Sequence, residues 1–87
     1  MAARLIYQVK PIYPALGIQV RVQGTVVLRA VISIEGTITN LAVISGHPLL
    51  IPAALDAVRQ WRYQPTQLNN VPVEVETTIE VRFILGD

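Results

Sequence analysis

Few residues in this chain could do chemistry, and their spacing does not suit it. The single histidine, His47, follows Ser45-Gly46. A serine and a histidine can act as nucleophile and general base. Residues so close in a loop rarely align for it, and no acid stands nearby to orient the imidazole. His47 has no cysteine and no second histidine with which to share a metal. Its place between Gly46 and Pro48 suits a structural role in a loop. Glu74, Glu76 and Glu80 fall on one face of a strand-like pattern and could hold a hard cation, but a solvated outer face accounts for them more simply. The five glycines form no phosphate-cradling loop. The expectation is a protein that is not an enzyme, with no catalytic residue, no metal, no cofactor and no small-molecule substrate.

Size and composition then ask what else the chain offers. Its 87 residues make one domain, and such a domain buries only about 60–65% of the surface its unfolded chain exposes. With 52% hydrophobic and 15% charged residues, its surface should keep apolar area for a partner. A net charge of +1 favours neither nucleic acid nor an anionic membrane. An RNA-reading sheet would want two or three aromatics on its strands, and only Phe83 is so placed. Arg4, Lys10, Arg21 and Arg29 lie early, and Glu74, Glu76, Glu80 and Asp87 lie late beside Arg82. Solvated surface explains them most simply; two patches that steer a partner are the alternative. There is no cysteine, hence no disulfide framework. No apolar run approaches the ~18 residues of a membrane span, and no signal peptide is visible. Met1-Ala2-Ala3 reads as an expression start, so the chain is expected to be a piece of a longer protein.

The elements follow from periodicity. Residues 4–9 suit a short strand, and Pro11 and Pro14 stiffen an extended link. Residues 15–23 suit a short helix or turn. Residues 25–34 alternate as a strand, with Val26, Leu28, Ala30, Ile32 and Ile34 on one face. Glu35-Gly36 predicts a two-residue hairpin turn. The return strand, 37–45, breaks its alternation at Asn40, which predicts a β-bulge. After His47-Pro48 a helix begins near Leu50 or Ile51, because Pro52 is acceptable only in the first turn. Leu50, Ala54, Ala57, Val58 and Trp61 form its apolar stripe, with Trp61 on the last turn and Ala53, Asp56, Arg59 and Gln60 facing out. Pro65 bars continuation, Asn69-Asn70 predicts a turn with Asn70 left-handed, and residues 73–85 form the last strand.

These elements predict an α+β fold. The three-stranded antiparallel sheet has the order second–first–last, with one main helix on one face. An N-terminal strand is a possible extension of that sheet. Residues 1–9 form an extension and 10–87 the domain. The last strand lies on an edge, and a bare edge is a template for another strand, which points to recognition by β-augmentation. The alternative is that residues 4–9 cover this edge, in which case deleting residues 1–9 should tighten binding.

An ordered set of short motifs resembles the C-terminal domain of TonB-family energy transducer proteins. The set is Tyr13-Pro14, Gly24-Thr25-Val26, the turn glycine Gly36, Ser45-Gly46, the helix core from Ala53 to Val58, Trp61-Arg62-Tyr63-Gln64-Pro65, the turn over 69–72, and Val81-Arg82-Phe83. The resemblance covers residues 10 to 85. Leu16 departs from it, standing where the best-known member has a basic residue, and Lys10 replaces the first glutamine of a Gln-Pro element.

The resemblance implies a periplasmic domain of a Gram-negative bacterium, carried on an inner-membrane anchor and a Pro-rich linker. Its partners would be the TonB box of TonB-dependent outer-membrane receptors, and ExbB and ExbD through the anchor. The box would add as a strand, so that proton-motive force drives active uptake of siderophores, cobalamin or other cargo. Carried over by position, the partner-binding strand is Ile79, Glu80, Val81, Arg82, Phe83, Ile84 and Leu85. Lys10, Pro11, Tyr13 and Pro14 lie where the family contacts box and plug. The competing implication is a TolA-like envelope scaffold or a self-associating domain, a homodimer, without a TonB-box partner.

Overall fold

The computed structural model describes residues 4–86. Its elements run β1 (Arg4–Tyr7), α1 (Ala15–Gln19), β2 (Gly24–Ile32), β3 (Ile38–Ser45), α2 (Ile51–Arg59), β4 (Arg62–Gln64), β5 (Thr66–Leu68), β6 (Val71–Val73) and β7 (Val75–Phe83). No helix among the described residues is long and apolar enough to cross a membrane.

Alternation builds the sheet. Val26, Leu28, Ala30 and Ile32 of β2 and Ile79, Val81 and Phe83 of β7 are buried, and their period of two puts them on one face. The sheet is antiparallel with order β3-β2-β7, the predicted second–first–last. The β2–β7 ladder runs unbroken from Gly24↔Phe83 to Ile32↔Val75. The β2–β3 ladder shifts between Arg29↔Ala42 and Val31↔Thr39. Asn40 sits in that shift at φ 47°, a left-handed conformation that asparagine tolerates, so the predicted bulge is present. A second shift, between Val27 and Leu28, is not foreshadowed by the sequence pattern.

The turn joining β2 and β3 corrects the two-residue expectation. Gly36 N–H donates to the Ser33 carbonyl at 2.9 Å, and Ser33 N–H to the Thr37 carbonyl at 2.8 Å. The loop is therefore Ile34-Glu35-Gly36, a turn closed by a glycine at φ 90°. The cause is local: Ser33 Oγ accepts the Thr37 N–H at 3.1 Å and lies 2.7 Å from Thr37 Oγ1, which favours the wider loop. Ile34 consequently leaves the core face and is exposed.

Helix α2 covers the apolar face of the sheet with Leu50, Ala54, Ala57 and Val58, all buried. Pro52 lies in its first turn. The His47 carbonyl accepts the N–H groups of Leu50 and Ile51 at 2.9 and 3.1 Å, and its Nδ1 accepts the Leu49 N–H at 3.1 Å. His47 thus caps a helix whose N-cap residue, Leu50, supplies no side-chain bond. Ala53 is half-buried against the core rather than outward.

Beyond α2 the chain departs from expectation in three respects. The helix ends at Arg59, so Trp61 lies past the last turn. Pro65 disfavours helical geometry at Gln64, and residues Arg62–Gln64 instead pair antiparallel with β1 through Arg4↔Gln64, Leu5↔Tyr63 and Tyr7↔Arg62. The N-terminal strand therefore neither extends the main sheet nor covers β7, and its removal would uncover no edge. Leu5 packs against the core on the β4 side, and Pro11, with no N–H to donate, could not continue a ladder along β7. The last strand is also shorter than 73–85. Val71–Val73 turns back on Thr66–Leu68 as a separate hairpin, closed by Asn69 and Asn70 at φ 53° and 66°.

Candidate functional site: the free edge of β7

Among the described residues β7 has one sheet neighbour, β2. Which of its backbone groups face outward is set by alternation. On β2, the Val31 carbonyl accepts from Thr39 Oγ1 at 3.1 Å, and the Ser33 N–H bonds to Thr37. Both belong to the β3 side. The residues of opposite parity, Gly24, Val26 and Leu28, therefore bond towards Phe83, Val81 and Ile79, which they face. The Leu85 N–H, bonded at 3.1 Å to Gln23 Oε1, points the same way. Thr78, Glu80 and Arg82 must then turn their N–H and C=O groups to the open edge. Their side chains are exposed on the face opposite the helices, whereas Ile79, Val81 and Phe83 bury theirs.

The extended segment before Tyr13 runs beside this edge. Between them lies a groove of about 350 Å³, with Gln8, Lys10, Pro11, Tyr13 and Trp61 on one side and Glu80, Val81, Arg82, Phe83 and Ile84 on the other. Its aromatic walls are fixed internally. The Tyr13 ring meets Phe83 edge-on, with centroids 5.4 Å apart and planes at 81°. The Tyr13 hydroxyl donates to the Val22 carbonyl, and Trp61 Nε1 donates to the Val9 carbonyl at 2.9 Å. With both donors so used, neither ring has an N–H or O–H left to give the groove. Burial raises the Tyr63 phenol above its ordinary 10.0.

The predicted residues divide accordingly. Lys10, Pro11 and Tyr13 line the groove with Glu80, Val81, Arg82, Phe83 and Ile84; Pro14, Ile79 and Leu85 do not. Gln8 and Trp61 do so without having been predicted. A buried indole usually needs a hydrogen-bond acceptor, which was the available hint that Trp61 reaches beyond the core. Tyr13→Phe removes the hydroxyl latch but keeps the Phe83 contact. It is expected to cost about 1 kcal/mol, seen as a lowered urea midpoint with an unchanged slope.

Fold and site define a small α+β domain in which, among the described residues, the sheet ends in a strand with one neighbour, beside a groove. The Gram-negative bacterial TonB protein C-terminal model matches residues 9–85, and the chain belongs to that family. It is 32% identical over 80 residues to the protein TonB of Vibrio cholerae serotype O1, covering 90% of this chain and 33% of that protein. It is 38% identical over 63 residues to the protein TonB of Klebsiella pneumoniae, covering 70% and 26%. The chain thus spans about a third of the length of these relatives or less. The fold is that of the solution NMR structure of the Pseudomonas aeruginosa TonB CTD. The TM-score is 0.77 at 20% identity, over 98% of this chain and 88% of that one.

Proposed function

We propose that this domain is the periplasmic, receptor-binding end of a TonB-type energy transducer. It takes the TonB box of an outer-membrane receptor as an added strand on β7. The observation that carries this reading is the outward row of N–H and C=O groups on Thr78, Glu80 and Arg82 beside a groove whose far wall includes Pro11, Tyr13 and Trp61. An extended segment gains main-chain hydrogen bonds there without unfolding anything. Coupling to proton-motive force would come through an inner-membrane anchor and its ExbB and ExbD partners, and the domain's part is non-enzymatic: it holds the receptor segment while tension is applied. Family membership supports the reading. A second copy of the chain is the competing occupant of the same edge.

Titration of the domain with TonB-box peptides, followed by backbone amide shifts, is expected to perturb residues 78–84 and 8–13 most. Shifts confined to the β3 edge, or none, would reject the reading. Sedimentation over a concentration series separates peptide acceptance from self-pairing.

A further inference from the structure

Strand addition at β7 leaves open which segments the edge accepts and in what register. Resting on that reading, we propose that Glu80 and Arg82 form a charge code for the incoming strand. The accepted segment carries an acidic residue opposite Arg82, a basic residue opposite Glu80 and an apolar residue between them.

Glu80 and Arg82 are two of the positions whose backbone groups face outward. The residues of an added strand that pair with them sit directly opposite, with side chains on the same exposed face and Cβ atoms about 5 Å away. On the β2 side the same two residues face Val27 and Thr25, which carry no charge, so their directly opposed charge partner can come only from the incoming strand. The residue between, opposite Val81, points to the helix-covered face. There it enters the groove walled by Pro11, Tyr13 and Trp61, whose aromatic polar atoms are already bonded to Val22 and Val9. An apolar side chain fits the carbon of these three residues, and neither ring has a donor left for a polar one.

The pattern also defends register. A slip of one residue moves every apolar side chain out of the groove and every charge into it. A slip of two keeps the faces right but sets like charges opposite one another, which is destabilising. Alternating polarity thus guards against the first error and alternating charge against the second. A strand that must bear load in one register needs both.

The test uses two labelled peptides of the same composition, one containing Asp-Val-Lys at its centre and the other Lys-Val-Asp. They are titrated into the domain and into the E80R/R82E variant at low salt. Shared composition cancels any general attraction from Lys10. Replacing two opposite-charge pairs with two like-charge pairs should separate the peptides by about fivefold in Kd. The preferred order should invert on the variant, and the preference should shrink at high salt. Equal affinities, or a preference that does not invert, would overturn the charge code while leaving strand addition intact, provided that the amides of Glu80 and Arg82 still shift. Loss of those shifts for both peptides would overturn the strand-addition reading as well.

Discussion

Replacing Gly36 by alanine is expected to cost the domain about 3–5 kcal/mol, a large share of the ~4–13 kcal/mol that a chain of this length holds. Two effects add. Gly36 has φ 90°, where a Cβ is strained by about 1–3 kcal/mol. That Cβ would also lie 2.0 Å from the Tyr63 carbonyl oxygen and 3.1 Å from its carbon. The obstruction is backbone and cannot rotate away. It is held in place by the Tyr63 N–H, which donates to the Gly36 carbonyl at 2.8 Å, and by the pairing of Leu5 with Tyr63. Relief requires the turn to leave β4, losing that bond and the Thr37↔Arg62 bridge, at about 1 kcal/mol each. Urea denaturation measures the loss. Gly24→Ala is the control, because Gly24 has φ 149° with nothing within 4 Å of an added Cβ. It should cost only backbone strain, about 1–2 kcal/mol. A loss at Gly36 no larger than at Gly24 would mean that the turn is not clamped to β4.

That clamp is a part of the molecule the sequence pattern does not announce. Long alternating runs were legible: residues 26–32 and 75–83 declare their buried face, and chain order then places β7 on an edge. The bulge at Asn40 was legible because it breaks the alternation. The helix start was legible because Pro52 permits no earlier turn. What escaped depends on contacts between short pieces far apart in the chain. β1 and β4 are four and three residues long, too short for a period to show. Their pairing rests on Leu5 meeting Tyr63. The hairpin Thr66–Val73 escaped for the same reason, although its Asn69-Asn70 turn was visible. At the site, the β7 edge followed from topology alone. The opposite wall did not, because Gln8 and Trp61 reach the groove only once β1 is laid on β4. Lys10, Pro11 and Tyr13 were placed there by family resemblance rather than by residue pattern.

Trp61 joins that wall to the core, and its two roles should separate on substitution. Only 5% of its surface is exposed, and it belongs to the cluster with Val58, Tyr63 and Phe83. Trp61→Ala should therefore cost about 3–5 kcal/mol through the cavity it leaves, enough to bring so small a domain near unfolding. Trp61→Phe keeps most of the buried ring and loses the Nε1 donor, leaving the Val9 carbonyl without its 2.9 Å bond. The domain should then stay folded, with a stability loss of about 1–2 kcal/mol. The loosening should be local, because Val9 lies between β1 and the groove residues Lys10 and Pro11. Hydrogen exchange should accelerate at the amides of β1 and Lys10 by about fivefold beyond the acceleration in β2, the change that about 1 kcal/mol of local opening energy produces. Exchange in β2 should change only as far as global stability does. If Trp61→Phe leaves β1 exchange untouched, the wall is held by β1–β4 pairing alone. If exchange in β1 rises by no more than the global loss of stability raises it in β2, Trp61 acts only as core, and the groove has no tether of its own.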